Sequence, residues 1–129
     1  MLCLFAGNEL LAQESNIFGT WTMFEMSWTR DDVVNTTTEE QLNAGGQITE
    51  YTFNHGGNLL IISNMTGSGE LETVEGAWIL DSDQLICNFI INGREMEIIW
   101  DIEFKDDIIL MKRTTPDGTM DVVNSYKRK

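Results

Sequence analysis

Apolar and polar residues alternate along most of this chain with a period of two, the pattern of strands with one buried and one solvent face. In the clearest segment, 94–104, Met96, Ile98 and Trp100 share one parity, while Glu95 and Glu97 share the other. The same pattern recurs between turn signals. It predicts eight strands, at residues 18–28, 47–54, 58–65, 72–80, 84–91, 94–104, 108–114 and 120–126.

Short turn sequences join most of these strands. His55-Gly56-Gly57 and Asn92-Gly93 tolerate the positive φ angles that tight hairpins need. Asp81-Ser82-Asp83 and Pro116-Asp117-Gly118 are also typical of turns. Sequential hairpin-linked strands with one apolar face can pair first with last, which removes their exposed edges. We therefore predict an all-β fold, an eight-stranded antiparallel up-and-down barrel.

Residues 29–46 form the one long interruption, between the first two strands. A capped helical turn is predicted within it, with Thr38 as N-cap, Gln41 at the third helical position and Gly45-Gly46 at the end. Long loops in compact domains are often functional. In a barrel, this one is placed to act as a lid over an open end.

Size and charge narrow the function classes. A chain of 129 residues with 42% hydrophobic residues fits one folded domain, predicted over residues 17–129. The formal net charge of -13 disfavours nucleic acid and anionic lipid surfaces as partners. No membrane-spanning run and no cofactor motif are present, so we predict no cofactor and leave any protein partner open.

The few basic residues are unevenly distributed. Arg30 and Arg94 are the only ones before residue 105. The simpler interpretation of the remaining six is solvated strand faces and a soluble tail. The alternative is a basic strip that receives an anionic ligand group. The six residues are Lys105, Lys112, Arg113, Lys127, Arg128 and Lys129.

The N-terminus resembles an export signal without its basic beginning. Residues 1–13 contain a short apolar run, and Ala12 lies at a plausible cleavage position. A hydrophobic leader that is not a signal is the alternative. Cleavage would remove Cys3 and leave Cys87 alone on an apolar strand, so no disulfide is predicted. We expect an exported protein that is periplasmic, at the cell surface or secreted.

Four landmarks together resemble one family. The chain opens its first strand with Phe18-Gly19-Thr20-Trp21 and continues with Tyr51-Thr52-Phe53-Asn54. A Gly-bearing turn with an aliphatic strand follows, and then Gly76-Ala77-Trp78. In this order they resemble the lipocalin-like, calycin-type domains of exported Bacteroidetes proteins. The resemblance covers roughly residues 17–126 and implies that Gly19 and Trp21 form the closed end, with Lys127 or Arg128 over the tryptophan ring.

An eight-stranded barrel holds either packed side chains or one small ligand. A carrier of a small hydrophobic or amphipathic ligand would have an internal cavity of at least a few hundred cubic ångströms, of the order of ordinary ligand pockets. The alternative is a filled barrel that serves as a non-catalytic interaction or structural protein, marked by an exposed apolar patch such as Trp28 with Val33 and Val34. The predicted ligand-binding residues are Tyr51, Phe53, Trp78, Phe89, Met96 and Trp100.

Catalytic and metal chemistry find little support in the sequence. His55 is the only histidine and falls in a predicted turn, which disfavours a catalytic triad and a site of nitrogen ligands. Asp81, Asp83 and the Asp106-Asp107 pair lack the spacing of a calcium loop. The outward row Glu95, Glu97, Asp101 and Glu103 is a candidate for acid–base work, but a catalytic carboxylate usually needs burial or a close partner, and a solvent-facing row on an acidic protein mainly aids solubility. We predict no catalytic residue, no metal and no enzyme activity.

Overall fold

The computed structural model describes residues 16–65, 69–91 and 93–129. The predicted leader at 1–13 lies outside this part, as does Asn92 of the predicted Asn92-Gly93 turn. The chain order is β1 Gly19–Arg30, β2 Val33–Thr37, α1 Glu39–Ala44, β3 Thr49–Phe53, β4 Asn58–Ser63, β5 Glu72–Asp81, β6 Gln84–Ile91, β7 Arg94–Lys105, β8 Ile108–Thr114 and β9 Asp121–Arg128.

The predicted all-β barrel is confirmed. Strands β3 to β9 pair antiparallel with their sequence neighbours, and β1 closes the sheet by pairing with β3 along one edge and β9 along the other. These eight strands form the barrel. Closure satisfies the backbone groups that an open sheet would leave at its edges.

The long segment at 29–46 has more structure than the sequence predicted. β1 continues to Arg30, and Asp31 and Asp32 turn the chain with φ angles of 51° and 63°. Aspartate tolerates this left-handed conformation, which a two-residue hairpin requires. β2 then pairs with the second half of β1, outside the barrel. The sequence prediction missed β2 because its residues are nearly all exposed and show no alternation of burial.

The predicted helical turn is confirmed as α1. Thr38 caps it, accepting from the backbone N–H of Gln41 while the Gln41 side chain accepts from the backbone N–H of Thr38. Leu42 is the buried residue of this helix and joins the barrel core. Lys127 of β9 forms an ion pair with Glu39. The helix is thereby held against the barrel wall.

A β-bulge in β1 changes which residues face inward. The register with β9 shifts between Met23 and Glu25, so that Phe24 is the extra residue. Met23 pairs with Tyr126 and Met26 with Asn124, and these positions share the inner face. Strict alternation along β1 would have turned Glu25 into the core. The bulge instead lets the apolar residues on both sides of it pack inside.

Gly76 allows β5 to pass very close to β6. A Cβ atom built at this glycine would lie 2.3 Å from the carbonyl oxygen of Asn88 and 2.9 Å from Cβ of Phe89. Neither contact is tolerable, so a side chain would force the two strands apart. This is the physical reason for the glycine in the mid-chain Gly76-Ala77-Trp78 landmark.

Candidate functional site

Trp21 fills one end of the barrel, as the resemblance implied. Its side chain is 1% exposed, and its indole Nε1 donates to the carbonyl oxygen of Ile17 at 2.8 Å. Ile17 is itself fully buried against the core. The chain entering β1 therefore folds across this end and closes it.

Arg128, not Lys127, covers the tryptophan. The Arg128 guanidinium carbon lies 4.3 Å from the centroid of the Trp21 ring. The same group donates to the carbonyl oxygens of Phe18 (2.9 Å) and Asn16. Gly19, with φ of 116°, adopts a conformation that L side chains rarely reach, and a Cβ there would lie 3.3 Å from the guanidinium. Arg128 thus ties the first strand to the last.

Arg128→Met is expected to lower the free energy of unfolding by about 1–2 kcal/mol, because a cation–π contact and two charged hydrogen bonds are lost together. Lys127→Met is the matched control. Lys127 lies over the Phe24 ring and pairs with Glu39 in an exposed position, and exposed pairs contribute about 0–1 kcal/mol. Urea denaturation followed by circular dichroism measures both. Equal losses for the two variants would contradict the assignment of Arg128.

Aromatic side chains fill the interior between the closed end and the middle of the barrel. Phe53 packs edge-on against Trp78 at 5.5 Å, and Trp78 packs against Phe18 at 5.8 Å. Phe18 in turn contacts His55 at 3.8 Å between ring centroids. Two residues predicted to bind ligand, Phe53 and Trp78, therefore lie in the packed half that leads to the closed end.

A cavity of about 200 Å³ lies in the other half of the barrel. Three of the predicted ligand-binding residues, Tyr51, Phe89 and Met96, line it. Met96 is 42% exposed, which places it at the rim. The remaining lining residues are Thr49, Ile61, Ser63, Val74, Ile91 and Ile98.

The cavity is smaller than the few hundred cubic ångströms expected of a carrier. Ligand pockets for drug-sized molecules are typically about 300–1,000 Å³. Larger depressions of about 650–700 Å³ exist, but acidic residues on the outside of the strands border them. The 200 Å³ space is lined by residues on the inner faces of the strands.

Trp100, the sixth predicted ligand residue, does not line this cavity. Its side chain is 6% exposed and faces inward from β7. Its indole Nε1 is buried and has no hydrogen-bond partner among the residues that the structure describes. A buried donor without a partner costs about 1–3 kcal/mol. A hydrogen-bond acceptor beside this Nε1 would therefore be favourable, because it would satisfy the buried donor.

Three hydroxyl and amide groups meet deep in the barrel. Tyr126 packs edge-on against Tyr51, with 5.3 Å between the two ring centroids. Asn124 lies two residues before Tyr126 on β9, and its Oδ1 is buried and lacks a donor within the described part of the chain. Burial raises the pKa of Tyr51 and of Tyr126 well above the ordinary value. Both phenols are neutral at physiological pH.

Arg113 brings a positive charge into this interior. It follows Ile109 and Met111 in parity along β8, and both are fully buried. Its guanidinium carbon lies 5.3 Å from the centroid of the Trp100 ring, and its charge opposes the burial-driven rise in the pKa of Tyr51. No carboxylate pairs with Arg113 among residues 16–65, 69–91 and 93–129.

We call Tyr51, Trp100, Arg113, Asn124 and Tyr126 the interior polar cluster. Three of its five members were named from the sequence: Tyr51 and Trp100 as ligand-binding residues, and Arg113 within the alternative basic strip for an anionic ligand group. Arg113 follows the inward parity of β8, which the buried Ile109 and Met111 define, and Asn124 shares the parity of the buried Tyr126 on β9. Cys87 lies nearby, and burial raises the pKa of its thiol to about 12, so it too is neutral.

The structure also places the predicted apolar patch at Trp28, Val33 and Val34 and the acidic row on β7. Val33 and Val34 are exposed and lie on opposite faces of the β1–β2 ribbon. The half-buried Trp28 shares the face of Val33, so Val34 lies apart from the other two. The carboxylates Glu95, Glu97 and Asp101 are exposed, as is Glu103, which accepts from Lys112 at 2.9 Å. Across the described ranges, no cluster of three or more His, Cys, Asp and Glu side chains is suited to a metal ion.

Solved structures support the fold assignment. A lipocalin-like protein from Bacteroides uniformis ATCC 8492 matches with a TM-score of 0.59 and 12% sequence identity, covering 88% of this chain and 99% of that one. An uncharacterized protein from Bacteroides eggerthii DSM 20697 matches with a TM-score of 0.55 and 14% identity, with the same coverage. The protein therefore has a lipocalin-like barrel fold.

Sequence comparison gives no family assignment beyond the fold that the solved structures show. No protein-family model and no curated protein match the chain. In the residues described, no helix is of the length and apolarity needed to cross a bilayer. We therefore infer function from the geometry of the barrel interior.

Proposed function

We propose that this protein binds a small apolar or amphipathic molecule in the open half of its barrel and has no catalytic role. The cavity of about 200 Å³ carries the proposal, because inward side chains of β3 to β7 line it. Its walls are mainly aliphatic and aromatic, with hydroxyls of Thr49, Tyr51 and Ser63 as polar groups. This combination is typical of small-ligand sites, where apolar surface supplies affinity and a few polar groups orient the ligand.

The size of the cavity limits the ligand. A space of about 200 Å³ accepts a short straight-chain molecule more readily than a polycyclic one. Two methionines widen the range of ligand shapes that fit, because the flexible side chains of Met96 and Met65 can repack around a ligand. Met65 packs against the core and its sulfur accepts from Thr49 at 3.3 Å. Binding is expected to displace these side chains outward.

Filling the cavity tests the proposal. Ile98→Trp, whose parent side chain lines the cavity, is expected to weaken the binding of 1-octanol at least about tenfold, because the indole occupies the ligand's space. Ile99→Trp is the matched control, since Ile99 is the next residue on β7 and is 44% exposed on the outer face. Isothermal titration calorimetry measures both affinities.

Two results would contradict the proposal. One is the absence of any octanol or octanoate binding by the unmodified protein. The other is equal weakening by Ile98→Trp and Ile99→Trp. Native mass spectrometry of protein purified from its own host gives an independent answer, because a retained small molecule supports the carrier and an unliganded mass favours a structural role.

A second candidate function is an interaction barrel, and a row of isoleucines on the outer face favours it, in which Ile79 and Ile99 are exposed and Ile86 is half-buried. Ile79 pairs with Ile86 across β5 and β6, and Ile86 pairs with Ile99 across β6 and β7. Ile79 is 58% exposed. Such a row on the outer face is a feature of protein contact surfaces. The unliganded mass described above, together with a larger assembly in solution, would support this candidate.

Export is part of the proposed function. We propose that residues 1–13 direct the protein out of the cytoplasm, on the strength of their apolar character alone. N-terminal sequencing of the mature protein tests this, with a start near residue 13 expected. A mature protein that retains Met1 would contradict it.

A further inference from the structure

We propose that the outer face of β5, β6 and β7 docks a cationic amphipathic helix of a partner protein. This inference rests on the second candidate function, the interaction barrel, and names the class of its partner, and it is independent of ligand binding in the barrel. We call Ile79, Ile86 and Ile99 the isoleucine row. Three features support the proposal: the apolar row, the carboxylates that border it, and the spacing of both.

The isoleucine row crosses three neighbouring strands at one height. Ile79 is opposite Ile86, and Ile86 is opposite Ile99. Ile79 is 58% exposed and Ile99 is 44% exposed, so the row presents apolar surface to solvent on the outside of the barrel. Single exposed isoleucines are ordinary on protein surfaces, but three in register form a continuous strip. Such a strip is stabilised when another apolar surface covers it.

Carboxylates border the isoleucine row on both of its long sides. Outward residues recur with a period of two along each strand, so the next outward positions lie two residues from the row in either direction. Within residues 75–81, 84–90 and 95–101, all of which the structure describes, no residue is basic. The exposed carboxylates of the face are Asp81 and Asp101 on one side, and Glu97, Glu95 and Glu75 on the other.

The border carboxylates have their negative charge available for a partner. In the described part of the chain, the salt bridges use Glu39, Glu50 and Glu103. Lys112 of β8 lies opposite Asp101, but its ammonium group is 2.9 Å from Glu103. The net charge of -13 adds to the negative potential of the face. This surface therefore attracts a basic partner and repels an acidic one.

The spacing of the row fits an α-helix that lies across the strands. Neighbouring strands are about 4.8 Å apart, so Ile79 and Ile99 are separated by about 10 Å. Residues i and i+7 of a helix are about 10.5 Å apart along its axis, and residue i+3 or i+4 lies between them on the same face. Three apolar side chains of one helix face therefore contact the three isoleucines.

The acidic borders fit the two sides of the same helix. Two residues of a strand span about 6.8 Å, so the outward positions on either side of the row are about 14 Å apart. A helix with its side chains is about 10–12 Å wide and fits between them. Lysine or arginine beside its apolar face then reaches Glu97 on one border and Asp81 or Asp101 on the other.

A depression beside the row provides further room for a partner. It has a volume of about 660 Å³, and its lining includes Ala77, Asn88 and Glu97, the outward positions next to the row. Glu75 and Glu95 line the same depression. A long basic side chain of the docked helix can therefore enter it and meet carboxylates there.

A second copy of this chain is a poorer occupant of the face. Two identical faces packed together would bring their border carboxylates close to one another, and like charges across an interface oppose association. The helix α1 has six residues, with Glu39 and Glu40 in its first turn and no basic residue in its last turn. It is too short and too acidic to cover the row. The expected occupant is therefore a different, basic protein.

The binding test uses a synthetic peptide of three Leu-Lys-Lys-Leu-Ala-Lys-Ala heptads and a counterpart with glutamate in place of every lysine. Each fluorescein-labelled peptide is titrated with the unmodified protein, and fluorescence anisotropy measures the affinity. The lysine peptide is expected to bind at least about tenfold more tightly than the glutamate peptide, because only its charge complements the face. Its affinity is expected to fall as sodium chloride is added, since salt screens exposed charges.

Ile79→Lys tests the isoleucine row. This substitution is expected to weaken binding of the lysine peptide at least about tenfold, because a like charge replaces an apolar contact. Val33→Lys is the matched control, since Val33 is 59% exposed and lies on β2, outside the barrel. It changes the net charge equally and is expected to leave the affinity within about twofold.

The double variant Glu97→Gln with Asp101→Asn tests the acidic borders. Loss of two exposed ion pairs with the peptide is expected to weaken binding about three- to tenfold. The control, Glu40→Gln with Asp107→Asn, removes the same charge from exposed positions on α1 and in the turn before β8. It is expected to change the affinity by less than about twofold. Circular dichroism confirms that each variant is folded.

The outcomes separate this inference from the proposed function. Equal binding of the two peptides, no binding of either, or equal weakening by Ile79→Lys and Val33→Lys overturns the docking face. A dimer of the unmodified protein that Ile79→Lys dissociates in analytical ultracentrifugation also overturns it, because the occupant is then a second copy. Ile79→Lys is expected to leave 1-octanol binding unchanged, so failure of the docking face leaves the carrier intact. If the peptides fail while protein from its own host remains in a larger assembly, the interaction barrel stands without this face.

Discussion

Replacing Trp21 by alanine is expected to lower the free energy of unfolding by about 3–5 kcal/mol, the usual cost of truncating a large buried aromatic side chain. Three losses combine at this position. The indole is 1% exposed, its Nε1 donates to Ile17, and Arg128 lies over its ring. Since whole domains are stable by about 5–15 kcal/mol, this variant is expected to lose much of its stability.

Two control variants sharpen this measurement. Trp28→Ala removes a half-buried tryptophan from the same strand, beyond the bulge, and is expected to cost about 1–2 kcal/mol because less apolar area is lost. Trp21→Phe keeps a ring but loses the hydrogen bond to Ile17, with an expected cost of about 1 kcal/mol. Urea denaturation followed by far-ultraviolet circular dichroism avoids dependence on tryptophan fluorescence. A Trp21→Ala variant no less stable than Trp28→Ala would show that the closed end is not organised around Trp21.

Gly76→Ala is the second substitution with a large expected effect. A single methyl group there meets the Asn88 carbonyl oxygen at 2.3 Å and Phe89 Cβ at 2.9 Å. Relief requires movement of paired backbone, because neither neighbour is the end of a flexible side chain. Overpacking of this kind costs about 1–3 kcal/mol. The melting temperature and the urea midpoint are both expected to fall.

Gly45→Ala is the matched control for this change. Gly45 has φ of −82° and ψ of −3°, which alanine adopts readily, and the nearest atom to its added Cβ is the Gln41 carbonyl oxygen at 3.5 Å. This substitution is expected to be neutral or to stabilise by about 0.4–1 kcal/mol through the unfolded state. If Gly76→Ala were as well tolerated as Gly45→Ala, the close approach of β5 and β6 would not constrain the fold.

The strand pattern was predictable because successive side chains of a strand point to opposite faces, so a strand buried on one face has apolar residues at every second position. Strands β6 and β8 have the bounds that alternation predicted, and the others differ by a few residues. The first strand was harder, because the bulge at Phe24 breaks its parity. β2 was missed because a strand with two exposed faces carries no such signal.

The candidate site was predictable only in part. Parity indicated that Tyr51, Phe53, Trp78, Phe89, Met96 and Trp100 face inward, and the structure places them there. It separates them, however, along the barrel axis: Phe53 and Trp78 pack toward the closed end, whereas Tyr51, Phe89 and Met96 line the cavity. For the six late basic residues, Arg113 among them, the sequence left open solvated strand faces or a basic strip for an anionic ligand group, although the position of Arg113 two residues after Met111 already indicated the inner face.

The sequence by itself determined the class of fold, the identity of the inward faces and the closed end at Trp21. Each of these depends on local periodicity, turn chemistry or a short motif. Tertiary structure alone decided how high along the barrel each inward side chain lies, because that height depends on strand register and tilt. It therefore decided the volume left empty, and it brought Arg113, Trp100 and Asn124 from three strands into one region of the interior.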